Sequence, residues 1–177
     1  IWDSFTKEAF AARDPFGIKP LYFGTNSEGI IFASQVKTLL SSNLINTDKD
    51  IISQFSFWNL GFIVEPSTWY KNIKALKSGY YIIVKDGKIK LETQWYNLKK
   101  NWISADKKQK QIPFDQFSKV IKESIIASVK RHMVADVPIG IFLSSGLDST
   151  ILASIASSNS NKKITAITVS FENSDRS

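Results

Sequence analysis

Six consecutive residues, Ser144-Ser145-Gly146-Leu147-Asp148-Ser149, bring three hydroxyls, a glycine and a carboxylate together. They follow the apolar run Ile139-Gly140-Ile141-Phe142-Leu143, which has no polar side chain and predicts a strand buried on both faces of a parallel sheet. They precede Thr150–Ala156, where Ile151, Leu152, Ile155 and Ala156 recur at helical spacing. A turn between a strand end and a helix start suits an anion. The first N–H groups of a helix have no partner within it, they carry the positive end of its dipole, and a glycine lets a phosphate approach the main chain. Ser144, Ser145 and Ser149 add hydroxyl donors, and an acid at Asp148 beside a polyphosphate makes chemical sense with Mg²⁺ between them.

The elements that must hold this turn form a strand-helix-strand unit. After the helix comes a polar connection, Ser157–Lys163, and then Ile164–Phe171, rich in β-branched residues and read as a second strand. A crossover of this length implies a parallel pair with a right-handed connection. Ligands of such sheets sit beyond the carboxyl ends of the strands, so Ser144–Ser149 and the strand end at Val169 and Ser170 line one crevice. No lysine follows the glycine, so the Walker pattern is absent. The string resembles instead the S-G-G-x-D-S loop of the ATP pyrophosphatase group, which cleaves ATP between its α- and β-phosphates, with Ser145 standing where that group has its first glycine.

Composition narrows the classes. The chain has 177 residues, 43% of them hydrophobic, and no apolar run of the roughly 18 residues needed to span a membrane, so it reads as soluble. It has no cysteine and one histidine, His132, which rules out thiol nucleophiles, thiolate metal sites and paired-histidine relays within this chain. The net charge of +7 is spread along the sequence apart from Lys99, Lys100, Lys107, Lys108 and Lys110, which favours a basic linker face over a nucleic-acid surface. It starts at Ile1 and stops within a polar run, the texture of a chain cut at both ends.

Upstream, Ala9–Arg13 reads as a strand, Asp14-Pro15-Phe16-Gly17 as a turn, and Leu21–Phe23 with Ile30–Ala33 as a hairpin. Arg13 and Asp14 are expected to form a turn ion pair, and Phe16, Tyr22 and Phe23 to be core aromatics. Ser34 is placed as the cap of a short helix through Leu40, and Asp50 near the start of an amphipathic helix carrying Ile51, Ile52, Phe55 and Trp58 and ending at Gly61. Tyr80–Lys85 and Lys88–Thr93 flank Asp86-Gly87, a strong hairpin signal. From Lys99 to Pro113 the composition turns polar with little periodicity and reads as a linker. Asp115 is expected to cap a helix with Phe117, Ile121, Ile125, Val129 and Met133 on one face, His132 being a hydrogen-bonded surface residue beside it.

Three strings carry a second resemblance. Arg13-Asp14-Pro15-Phe16-Gly17-Ile18-Lys19-Pro20-Leu21-Tyr22 followed by Phe32-Ala33-Ser34-Gln35-Val36-Lys37, the run from Pro66 to Gly79, and Asp136-Val137-Pro138 leading into Ser144–Ser149 are similar to segments of the glutamine-hydrolysing asparagine synthetase family. Gln35 and Ser78 stand where the family has glutamate and proline. The resemblance implies an α+β region, the end of an N-terminal-nucleophile glutaminase domain over residues 1–98, and a linker over 99–114. An α/β region follows over 115–177, the start of a parallel-sheet adenine-nucleotide hydrolase-like domain.

It also implies ATP and Mg²⁺ as cofactors, with Leu143, Ser144, Ser145, Gly146, Leu147, Asp148, Ser149 and Val169 on the nucleotide, Leu143 and Val169 touching its adenine part and Asp148 holding the metal. The expected reaction is adenylation of the aspartate side chain and its conversion by glutamine-derived ammonia to asparagine, with AMP and pyrophosphate released. The implied partners are small molecules, with no nucleic acid or membrane; the setting is cytoplasmic, and a homodimer is compatible with the pattern. The family's nucleophile is an N-terminal cysteine outside this chain, so the chain alone is expected to be inactive. A related amidotransferase or cyclising synthetase acting on another carboxylate shares every motif here. A tRNA-modifying protein of the ATP pyrophosphatase type is a third alternative.

Overall fold

The computed structural model describes residues 1–107 and 113–170. The chain divides into two compact units, Ile1–Lys108 and Gln109–Ser177.

The first unit is built on two antiparallel sheets. One has the order β1-β2-β6-β7, from Trp2–Asp3, Glu8–Ala12, Tyr80–Lys85 and Lys88–Gln94; the other has the order β4-β3-β5, from Ile30–Ala33, Tyr22–Thr25 and Ile73–Ala75. Phe23, Leu76, Ile82 and Val84 form a core to which Ala9, Ala11, Leu21, Ile30 and Phe32 add, so side chains from both sheets meet there. Alternation sends neighbouring residues the other way: Tyr22, Ile31 and Ala33 pack with Leu39, Ile45 and Ile73 in a second cluster. Helix α1 (Val36–Ser41) covers it through Leu39. Gly24 lets this layer close, because a Cβ there would meet the Ile45 side chain at 2.8 Å.

Several local expectations match. Asp86 and Gly87 both have positive φ, 50° and 71°, as a two-residue hairpin turn between paired Lys85 and Lys88 requires. Helix α2 (Ile51–Leu60) is capped by Asp50, whose carboxylate accepts from the N–H groups of Ile52 and Ser53, and it ends at left-handed Gly61.

Other expectations need correction. Arg13 pairs with Glu65 and not with Asp14. Its guanidinium, 6% exposed, donates to Glu65 Oε2 and Oε1 at 2.8 and 3.0 Å and to the carbonyls of Leu76, Gly17 and Lys19 at 2.7, 2.9 and 3.1 Å. Asp14 instead accepts the N–H groups of Phe16, Ile18 and Lys19, bending the turn around its own carboxylate. Phe16 lies at the surface against Tyr96, leaving Phe23 as the buried aromatic of the three. The cap of α1 is Gln35, without a side-chain bond, in place of Ser34.

The apolar residues of α2 face outward: Ile51, Ile52, Phe55 and Trp58 are 75%, 81%, 69% and 76% exposed, whereas Ser53 is buried. This helix is anchored by main-chain bonds, Asp50 N–H to Trp69 O and Lys71 N–H to Asp48 O, and by the edge contact of Phe57 with Trp69. Periodicity shows which residues share a face, not what that face meets. Where a linker was expected, Leu98–Lys107 forms a helix, α3, with Asn97 Oδ1 accepting the Lys100 N–H at its start. Residues 108–112 of that stretch lie outside the described residues.

In the second unit, helix α4 (Phe114–His132) starts at Pro113, with Asp115 inside the first turn instead of capping it. Strand β8 (Gly140–Phe142) pairs in parallel with β9 (Thr165–Ile167), and α5 (Leu147–Ser158) connects them. The expected burial of β8 on both faces does not hold: Phe142 is 78% exposed, because β9 is its one partner strand among the described residues. Phe171 of the second predicted strand lies outside the described residues.

Two outcomes are expected. Glu65→Ala, which leaves the buried Arg13 guanidinium without its counter-charge, and Arg13→Ala, which leaves the buried Leu76 carbonyl without its donor, should each destabilise the first unit by about 3 kcal/mol. A loss under about 1 kcal/mol for either variant in urea unfolding would contradict the arrangement. Asp14 is held below its ordinary value of 3.8 by the Lys19, Ile18 and Phe16 N–H groups, and Asp50 by the Ser53 hydroxyl and then the Ser53 and Ile52 N–H groups. Both folded values are depressed, so their stabilisation is present above the unfolded value and is lost as pH falls through the folded one. Between pH 4 and 2, unfolding midpoints of an Asp14→Asn, Asp50→Asn double variant should therefore fall less steeply than those of the unsubstituted protein; parallel slopes would contradict it.

Candidate functional site

The loop between β8 and α5 is held at both ends. Leu143, the last residue before it, donates its N–H to Ile167 O at 2.9 Å, and its carbonyl accepts from Thr168 Oγ1 at 2.8 Å. At the helix end, Ser149 Oγ accepts the Ser144 N–H at 3.1 Å and lies 2.9 Å from Ser144 Oγ. It is also within donating distance of Ser144 O at 3.1 Å and Gly146 O at 3.0 Å. One hydroxyl hydrogen serves one acceptor at a time, so Ser149 can change donor partner without leaving the loop. Gly146 donates its N–H to Ser144 Oγ at 3.2 Å, and Thr150 Oγ1 donates to Gly146 O at 2.9 Å.

Helix α5 begins one residue after Gly146 and has no side-chain cap. The N–H groups of Leu147, Asp148 and Ser149 therefore lack intrahelical acceptors and sit at the positive end of the dipole. Gly146 has φ −74° and ψ 149°, open to any residue, and a Cβ there would touch only Ser144 Oγ, at 3.2 Å. The backbone does not demand the glycine, but a Cβ would press on Ser144 Oγ, and the bare Cα leaves the helix start accessible. Three N–H donors, two nearby hydroxyls and an open Cα form a donor set that fits a polyphosphate. Asp148 is the acid of the first turn. Among the described residues no group of three His, Cys, Asp or Glu could hold a metal.

The residues expected on the nucleotide all fall at this end of the parallel pair. Ser144–Ser149 are contiguous around the helix start, Leu143 ends the strand, and Val169 lies two residues beyond β9, next to the Thr168 that bonds Leu143. Leu147 and Val169 are both exposed, and Ser145 takes no part in the hydrogen bonds just described. His132 is exposed with Nδ1 2.9 Å from Ser128 O, a surface hydrogen bond as expected. A cavity of about 630 Å³ lined by Lys130, Pro138 and Lys163 lies at the opposite, amino-terminal ends of the strands, the wrong side for a ligand of this topology.

Two loop residues escaped the sequence reading. Thr150 stands four residues after Gly146, the spacing at which a helical threonine bonds back to a carbonyl, and that signal was legible. Thr168 left no such trace, since its bond to Leu143 depends on the register of strands 25 residues apart.

Comparison with known proteins agrees with this division. A family model described as a glutamine amidotransferase domain matches residues 1–96, and one described as asparagine synthase matches residues 120–177. "Asparagine synthetase [glutamine-hydrolyzing] 1" of Bacillus subtilis is 36% identical over 158 residues, 88% of this chain and 23% of the relative. A Mycobacterium bovis protein, described provisionally as the same kind of enzyme, is 34% identical over 176 residues, 97% of this chain and 26% of the relative. "Amidase chry2" of Gibberella zeae is 25% identical over 158 residues, 89% of this chain and 22% of the relative. The chain thus spans about a quarter of the length of these relatives. With matches over both units and identity spread across most of its length, the chain belongs to the asparagine synthetase family.

Proposed function

We propose that this chain is part of a glutamine-dependent amide ligase that makes asparagine from aspartate, ATP and glutamine-derived ammonia, with residues 143–149 and Val169 as its ATP site. The observation that carries the reading is the uncapped start of α5 beside Ser144, Gly146 and Ser149 at the carboxyl end of a parallel strand pair.

In this reading residues 1–98 are the end of a glutaminase domain, 99–114 the connection, and 115–177 the start of an adenine-nucleotide hydrolase-like domain. An aspartate carboxylate oxygen attacks the α-phosphorus of ATP, the bond from that phosphorus to the pyrophosphate oxygen breaks, and pyrophosphate leaves with the electron pair. Ammonia then attacks the acyl carbon, and AMP departs from the amide. The chain's task in the first step is to meet charge growing on the pyrophosphate with donors already in place. The N–H groups of Leu147, Asp148 and Ser149 supply them, with the hydroxyls of Ser144, Ser145 and Ser149 beside them. Asp148 would hold Mg²⁺ against the phosphates, and the ion when bound supplies positive charge to their oxygens. Leu143 and Val169, on adjacent strand ends, would border the adenine part.

A second reading, an amidotransferase or cyclising synthetase with another acceptor carboxylate, is favoured by Ser145 in the loop and by the Gibberella relative that is named an amidase.

The first test is pyrophosphate release from ATP by the full-length protein, with glutamine or ammonia, across a panel of carboxylates beginning with aspartate. Release that requires aspartate is the expected result; release with another acid selects the second reading, and none with any acid sinks both. Asp148→Ala should lower kcat/KM for ATP by on the order of 10²-fold, the scale of losing a metal's charge stabilisation. Gly146→Ala should lower stability by about 1 kcal/mol, since alanine is a poorer N-cap than glycine and its Cβ would press on Ser144 Oγ. It should still raise the KM for ATP clearly. Unchanged ATP kinetics in that variant would separate the loop from the nucleotide.

A further inference from the structure

We infer that Thr168 is a positioning residue for the phosphate loop: its hydroxyl fixes the carbonyl of Leu143 and so sets where the chain leaves β8. The inference rests on the reading of residues 143–149 as the ATP site. The β8–β9 ladder ends with the pair Phe142 and Ile167. Leu143 N–H still reaches Ile167 O, but beyond it main-chain pairing has run out, and the Thr168 side chain supplies the next bond, Oγ1 to Leu143 O at 2.8 Å. On the other side Ser149 Oγ lies in bonding distance of both the N–H and the C=O of Ser144.

Consecutive residues are thus held from two different elements, Leu143 from the end of β9 and Ser144 from the first turn of α5. The peptide joining them is the pivot from which Ser145 and Gly146 extend to the helix start. Releasing one side frees the pivot. Thr168 is exposed, so water can replace its hydroxyl at Leu143 O with little loss of stability, and the cost of losing it falls on where the loop sits. Valine keeps the branched shape and strand preference of threonine without the donor; serine keeps the donor without the branch.

The test compares Thr168→Val and Thr168→Ser in the full-length protein. Thr168→Val should raise the KM for ATP about fivefold, the scale of one net hydrogen bond. The KM for the acceptor carboxylate and the thermal midpoint should not move, and Thr168→Ser should restore the ATP value to within about twofold. An unchanged ATP KM in Thr168→Val would overturn the inference. So would failure of serine to rescue, or a fall in the thermal midpoint accompanied by losses for both substrates. Amide hydrogen exchange of Ser144–Gly146 without nucleotide gives an answer independent of the reaction. Exchange should quicken in Thr168→Val and not in Thr168→Ser, and equal exchange in both overturns the inference. If the unsubstituted protein releases no pyrophosphate from ATP, the functional reading fails while the exchange experiment still decides the role of Thr168.

Discussion

A guanidinium taken out of water must find an acceptor for each of its donors, and in the first unit that demand is met by three separate pieces of chain. Arg13 closes β2, and its five contacts reach the Asp14–Lys19 turn, the Glu65 loop and the carbonyl of Leu76 just after β5. The two sheets are therefore locked at one point by polar bonds as well as by the apolar core of Phe23, Leu76, Ile82 and Val84. Leu76 belongs to both: its side chain is in the core, its carbonyl accepts Arg13, and its N–H donates to Leu21 O. The neighbouring Asp14 does its work through main-chain N–H groups, and its carbonyl accepts from Gly79 at the start of β6. A cation and an anion adjacent in sequence thus serve different partners, each dictated by burial: the long side chain reaches inward, the short one folds its own turn.

In the second unit the organising constraint is the opposite one, donors left without acceptors. The start of α5 has no cap, and hydroxyls that could have capped it are spent inside the loop on Ser144 and Gly146. A sequence with serines at 144, 145 and 149 had the means to satisfy those N–H groups and does not do so. That is the physical content behind proposing a phosphate there. The strand end at Leu143 and Ser149 in the first turn of α5 hold the open donors in one place, so that a ligand would meet a loop already shaped.

Features governed by a few adjacent residues were legible in the sequence. Asp86-Gly87 can adopt the positive φ that its turn needs, Asp50 and Gly61 bound α2 by local cap chemistry, and the strand-turn-helix around Ser144–Ser149 follows from its switch of period. What distant chain segments decide was not. The partner of Arg13 lies 52 residues away at Glu65, beyond any turn-based argument, and an adjacent aspartate was the natural but wrong choice. The outward apolar face of α2 and the single-partner strand β8 show the same limit: spacing groups side chains without saying what covers them. Helix α3 escaped because its lysines and asparagines hide a ten-residue run that Asn97 initiates.

The long reach of Arg13 also bears on how the unit comes into being. Leu76 is 63 residues beyond Arg13, and β2 pairs with β6 farther on still. At a synthesis rate of roughly 5–20 residues per second, β2 emerges about 3–13 s before the carbonyl its arginine needs. Early in that interval the emerged chain offers Arg13 only the nearby Gly17 and Lys19 carbonyls among its acceptors, with Glu65 and Leu76 still to come. The full set of contacts that buries Arg13 can therefore exist only once Leu76 has been made, which makes this lock a late event in the unit's assembly.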